Sequence, residues 1–121
     1  MKREDFILSD PYYETEAEGI LIKIHRDFLN QSSIAYANKI FELYLYKKSE
    51  VIDYVLNHSV LDFYKSRYAR NEIAEKLNEA DIEIMNDRWG CLTWRNHNLD
   101  EHIIQVEFND EMQLSYVSID G

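Results

Sequence analysis

His102-Ile103-Ile104-Gln105-Val106-Glu107-Phe108, then Asn109-Asp110-Glu111, then Gln113 through Ile119 is the stretch whose reading decides the fold. Its first part alternates, with Ile104, Val106 and Phe108 on one face and Ile103, Gln105 and Glu107 on the other, the period of a half-buried strand. The polar triplet predicts a hairpin turn. The last part predicts a returning strand, with Val117 and Ile119 on one face and Leu114 and Tyr116 on the other. An isolated hairpin is marginal in water, so these two strands demand a larger sheet.

Residues toward the N-terminus supply that sheet. Cys91-Leu92-Thr93-Trp94-Arg95 reads as a strand, Ile82-Glu83-Ile84-Met85 as a shorter one, and Asn86 to Gly90 as the turn between them. Short polar connections, including Asn96 to Glu101, predict an antiparallel meander. Further upstream the period changes to 3.6. Asn30-Gln31-Ser32-Ser33 offers side-chain oxygens to cap a helix, and Ile34, Ala37, Phe41, Tyr44 and Leu45 form an apolar stripe behind it. Ser49 resembles a second cap, with Ile52, Val55, Leu56, Ser59 and Phe63 as the next stripe. No proline or glycine forces a break in residues 32–66, which make one bent helix or two; the expectation carried forward is a helical hairpin. A third helix is expected over Asn71 to Glu79. Before all of these, Ile20-Leu21-Ile22-Lys23-Ile24-His25 is dense in β-branched residues and reads as a strand. The first 18 residues are less decided: Asp10-Pro11 is a turn, and Phe6, Ile7 and Leu8 are a short strand or a docked terminus.

Because helical and strand zones are segregated, the class is α+β. The predicted architecture is a helical hairpin plus a short helix packed on one face of an antiparallel sheet with a C-terminal β-meander, in a single domain spanning 1–121. A length of 121 residues with 45% hydrophobic and 30% charged content suits one folded core, and a single proline and three glycines leave little for a linker. One cysteine excludes an intrachain disulfide, no apolar run reaches membrane-spanning length, and no apolar segment follows the basic start. A cytoplasmic location is the expectation.

Lys and Arg number 13 against 23 Asp and Glu, a formal net charge of −10. Binding phosphate backbones needs surplus cations, so nucleic acid and anionic membrane are disfavoured as partners, and a basic protein is the class this field attracts. The charge is uneven. Residues 19–71 hold eight bases and five acids, whereas residues 100–121 hold six acids and no lysine or arginine. A basic partner is therefore expected on the C-terminal sheet side.

Few motifs carry chemistry. No glycine-rich phosphate loop or G-x-S-x-G elbow occurs. Cys91 in a strand reads as a small core residue rather than a nucleophile. His97-Asn98-Leu99-Asp100-Glu101-His102 places two histidines and two carboxylates close together, but a spacing of five spans a turn and does not share a helix face, so His97 and His102 are weak metal candidates. No cofactor and no catalytic residue is assigned, and the chain is not expected to be an enzyme. Nine tyrosines and two tryptophans exceed what a core of this size needs, and such side chains are enriched at binding hot spots. The candidate partner-binding residues are Asp100, Glu101, Glu107, Asp110, Glu111, Trp89, Trp94 and Tyr116. Asp110 and Glu111 sit at a hairpin tip and Asp100 and Glu101 in a loop at the other end, so the acids form at most two clusters flanking a sheet face.

The ending His102 to Phe108 through Val117-Ser118-Ile119-Asp120-Gly121, together with the Trp89-Gly90 turn and the strand–helices–meander layout, resembles small acidic bacterial domains found near polymorphic-toxin loci. The resemblance implies an immunity-type protein that neutralises a basic toxin by stoichiometric binding. The alternatives are a small metal-dependent enzyme built on His97, Asp100, Glu101 and His102, and a homodimerising structural module using Trp89, Trp94 and the open sheet face.

Overall fold

The computed structural model describes all 121 residues. A seven-stranded sheet runs in the order of the chain: β1 (Ile7–Ser9), β2 (Tyr12–Ala17), β3 (Ile20–His25), β4 (Asp81–Ile84), β5 (Gly90–Trp94), β6 (Ile103–Phe108) and β7 (Leu114–Asp120). Every neighbouring pair is antiparallel except β3 and β4, which pair in parallel with Ile22 opposite Ile82 and Ile24 opposite Ile84. Parallel neighbours require a crossover, and the helical segment between them provides it. The α+β class holds; the wholly antiparallel sheet does not.

The expected helical hairpin is one long helix of 34 residues. It comprises α1 (Gln31–Val55), a π-turn (Leu56–Val60) and α2 (Leu61–Tyr64). Asn30 caps it: its side chain accepts from the Ser33 N–H at 2.9 Å, and the Ser33 hydroxyl accepts from the Asn30 N–H at 3.0 Å. Ser49 caps nothing. The direction changes at Lys47, whose φ of −110° and ψ of 16° leave helical values without ending the helix. Tyr44 and Val51 are buried on either side of that kink, so the core holds both halves against the same sheet. The π-turn inserts one residue into the ladder, which lets Val55 and Leu56, adjacent in sequence, both face inward. After a short connection α3 (Arg70–Lys76) buries Ile73 and leads to β4. It ends before Asn78 and Glu79, which instead approach Trp94 and Tyr44.

Two features were not fully legible in the sequence. Residues 7–17, the undecided start, form β1 and β2. The Glu18-Gly19 turn joining β2 to β3 has positive φ at both positions, 51° and 79°, as a two-residue hairpin of the primed type requires. In β7 an irregularity opposite Val106 and Glu107 gives the strand an extra residue, Tyr116. One extra residue reverses the alternation, so Leu114 pairs with Phe108 on the same face as Val117 and Ile119, not with Tyr116 as the simple period predicts.

The core lies between the helices and one sheet face. Ile20, Ile22 and Ile24 from β3, Ile82 and Ile84 from β4, Leu92 and Trp94 from β5, and Ile104, Val106 and Phe108 from β6 meet Ile40, Tyr44, Val55, Leu56 and Val60. Each fully buried aliphatic side chain contributes about 1.5–3 kcal/mol before chain entropy is subtracted. Helix tyrosines add directional bonds. Tyr36 donates to the Asn109 carbonyl at 2.8 Å, Tyr64 to Asp100 at 2.7 Å and Tyr68 to the Leu99 carbonyl at 3.3 Å. The Tyr44 hydroxyl accepts from the Ala80 N–H at 3.0 Å. These tyrosines fasten the helical layer to the sheet's connecting loops and are not surface anchors.

Gly90 sets the spacing where β4, β5 and β6 meet beside the β4–β5 turn. A Cβ there would lie 2.2 Å from the Glu83 carbonyl oxygen and 2.7 Å from the Phe108 ring. Gly90→Ala is expected to lower stability by about 2–4 kcal/mol, measured by urea denaturation. A loss below the noise of that measurement would mean the strands separate at no cost.

Candidate functional site

The helices cover one sheet face and leave the other without a covering layer. Pairing fixes what stands on that open face. One row crosses six strands, Glu14, Lys23, Glu83, Cys91, Glu107 and Ser115, each opposite the next. A second row runs Asp81, Thr93, Gln105 and Ser118. Glu16 stands opposite Leu21 and Asp120 opposite Ile103 on the same face. Arg95 extends the alternation of β5 and reaches back over the face to Glu83.

The centre of this face is closed by its own side chains. Glu83, only 4% exposed, accepts from the Arg95 guanidinium at 2.9 Å and lies 3.9 Å from the Lys23 ammonium. A carboxylate this buried costs several kcal/mol unless paired, and the two cations offset that cost. Gln105 donates to the Thr93 hydroxyl at 3.0 Å, satisfying the next buried polar group. Asp81 is 3.8 Å from Arg95. Burial raises its pKa and the Lys23 charge pulls against this, with Glu83 adding to the rise. Cys91 is buried in the row, and burial together with the Glu83 and Glu107 charges pushes its thiol up to about 12. A thiol held protonated is a poor nucleophile.

With Glu83 engaged by both cations, Glu14, Glu16, Glu107 and Asp120 have no cationic partner on the face. The outer part of the open face is therefore negative, and its paired centre is a rigid base beneath it.

The eight residues expected to bind a partner are scattered. Glu107 lies on the open face, half-buried. Tyr116, the extra residue of β7, is 71% exposed. Trp89 is 39% exposed in the β4–β5 turn, at the same end of the sheet as Asp110 and Glu111 in the β6–β7 turn. Glu111 is tied to Lys39 of α1 at 2.8 Å. Glu101 is exposed at the opposite end. Two candidates are corrected. Trp94 is 2% exposed and donates its indole N–H to the Asn78 carbonyl at 3.0 Å, because its position in β5 faces the helices. Asp100 serves the fold, accepting from Tyr64 at 2.7 Å, from the His102 N–H at 2.9 Å and from the His102 ring at 2.9 Å, with Arg67 at 3.4 Å.

The metal candidates do not converge. His97 is 3% exposed; its Nδ1 accepts from the Leu99 N–H at 3.0 Å, so Nε2 carries the proton and donates to the His102 carbonyl at 2.7 Å. Both ring nitrogens are occupied. His102 points its Nδ1 at Asp100, and its ring lies in a T-shaped contact with Phe63. The residues that sequence reasoning missed are Glu14, Glu16, Lys23, Asp81, Glu83 and Arg95. The alternation of Ile20 to Ile24 already placed Lys23 outward; only the pairing of β3 with β4 could bring it to Glu83. Comparison with protein-family models, curated proteins and solved structures finds no match to the chain.

Two carboxylates titrate with opposite consequences. Burial draws the Asp100 pKa upward, but the hydrogen bonds from His102 and Tyr64 outweigh it and hold the group well below the ordinary carboxylate range. The stability this contributes is present above the unfolded value, about 4, and disappears as pH falls through the folded one. Asp100→Asn should flatten the acid limb of stability and cost about 1–3 kcal/mol at neutral pH. Asp81 is shifted upward, so ionising it opposes folding. Asp81→Asn should raise the melting temperature at neutral pH and lose that gain in acid. Calorimetry from neutral pH into acid reads both; the same slope in all three proteins would refute the assignment.

Proposed function

We propose that this protein binds a basic protein through the open face of its sheet, without acting as an enzyme. The observation carrying this reading is the composition of one uncovered surface: Glu14, Glu16, Asp81, Glu83, Glu107 and Asp120 stand there with only Lys23 and Arg95 as fully charged counterparts. Such a surface accelerates encounter with a positive partner and repels negative ones. The half-exposed carboxylates at its margin lose little hydration until a partner's lysine or arginine replaces the water. Trp89 and Tyr116, exposed beside this face, supply contact area with little rotamer entropy to lose.

The narrower form of the proposal is an immunity-type inhibitor that blocks a basic toxin by occupying its surface one to one. Support comes from the overall net charge of −10 and the layout resemblance. The rivals are weaker on physical grounds. A metal on the buried His97 ring would have to displace the Leu99 N–H from Nδ1 or the His102 carbonyl from Nε2. Self-association through the open face would set like charges against each other, and Trp94, one of the two expected anchors, is inside the core.

The test is affinity capture from cells of the source organism at about physiological ionic strength, the regime in which exposed charges still attract over roughly 8 Å. A basic protein should be retained, be released by high salt, and be lost on charge reversal of Glu14 and Glu107 to lysine. Retention of a neutral or acidic partner, or of a basic one indifferent to both substitutions and to salt, would sink the proposal.

A further inference from the structure

The two ends of the sheet are unequal. β1 has three residues and is followed at once by the Asp10-Pro11 turn, so it offers little backbone to a newcomer. β7 has seven residues, contains no proline, lysine or arginine, and is the last strand of the sheet, so one side of its backbone meets no strand. Exposed edges are usually blunted by lysine, proline or short length, because unpaired N–H and C=O groups template another strand. β7 carries only a bulge at Tyr116, near its start.

A cleft of about 760 Å³ lies beside this edge. Its apolar wall is Leu56, Leu61, Phe63 and Ile119, and Ile119 of β7 is the only sheet residue in it, so the cleft opens off the outermost strand beneath the helix. The π-turn forms part of the wall. Phe63 is 46% exposed there, although its neighbour Tyr64 is fully buried. A strand added beside β7 would direct alternate side chains toward the helices, into this cleft, and toward the open face.

Charge selects the occupant. Residues 100–121, which form β6, β7 and their connections, have six acids and no lysine or arginine. Asp100 and Glu111 are paired with Arg67 and Lys39, which leaves Glu101, Glu107, Asp110 and Asp120, and the lysine on the cleft wall, Lys65, is paired with Asp62. Pairing β7 with β7 of a second copy would bring two such hairpins together, and like charges across an interface are unfavourable. An extended segment bearing lysine or arginine is favoured instead. We infer that the free edge of β7 accepts an extended, basic segment of a partner protein as an eighth strand, with an apolar side chain of that segment entering the cleft lined by Leu56, Leu61, Phe63 and Ile119. Main-chain bonds supply affinity in this mode, and the cleft supplies selection. The inference rests on the proposal of a basic partner and adds the β7 edge, which continues the open face, as a second contact.

The experiment uses the full chain and a synthetic peptide of about seven residues alternating valine with lysine, against the same peptide with glutamate for lysine. Amide hydrogen exchange should slow in β7 when the lysine peptide binds, and not with the glutamate peptide. Phe63→Ser and Asp120→Lys should each weaken binding by about tenfold or more, while the unaltered thermal transition of either variant shows that it folds. Slowed exchange in β7 with loss in either variant supports the edge. Binding with no change in β7, or unaffected by both variants, overturns the edge and leaves the basic-partner proposal standing. No binding at about 1 mM peptide overturns the edge as well, and the basic-partner proposal is then decided by the capture experiment alone.

Discussion

Ile22 and Ile24 of β3 pair in parallel with Ile82 and Ile84 of β4, with the whole helical segment between them in sequence. This seam joins two units that are otherwise local meanders, β1–β3 and β4–β7. It obliges the long helix to cross back over one face of the sheet, since parallel strands cannot be joined by a tight turn. The helix then fills the side on which Ile20, Ile22, Ile24, Ile82 and Ile84 project, and the opposite face is left open. The same pairing sets Lys23 beside Glu83. Core, crossover and charged face thus follow from one register.

The polar centre of the open face is a different kind of construction from the core. Glu83, Arg95 and Lys23 replace the apolar contacts that a second covering layer would have made. Buried ion pairs seldom add net stability over apolar packing. Their effect here is to hold the middle of an uncovered face in one arrangement without inviting nonspecific apolar association. The marginal carboxylates then stand around a centre whose side chains are tied to one another, and a partner of the kind proposed would have fewer of them to order.

Strand alternation from residue 81 to Phe108 was readable because each strand there turns one face to the helices and one away from them, so hydrophobicity follows the pleat. Ile20–His25 was readable for the same reason. The hairpin at Glu18-Gly19 escaped because the turn uses glutamate in a positive-φ position where asparagine or aspartate is the stronger signal. Ser49 misled because a capping residue also fits an exposed helix position; only the burial of Tyr44 and Val51 on both sides distinguishes the two. Tyr116 shows the limit of period counting, since a single extra residue reverses every later assignment. Trp94 was assigned to a surface on composition, although its own strand alternation with Leu92 placed it near the core. As for the candidate site, Glu107 was identified from sequence; Glu14, Lys23, Glu83 and Arg95 were not, because their assembly depends on strand neighbours that chain order alone does not reveal.

The parallel seam also has a kinetic meaning. Within β4–β7 every pairing joins strands adjacent in sequence, so that meander closes through short loops. The β3–β4 seam must instead close a loop containing the entire helix, and loop-closure entropy makes such contacts late and slow. During synthesis β1–β3 leave the ribosome first, with Ile22 and Ile24 awaiting strands that are not yet made. The acidic N-terminal segment, in which residues 1–18 hold six acids and two bases, places like charges around that waiting apolar row. Like charges at that stage oppose the approach of one such segment to another.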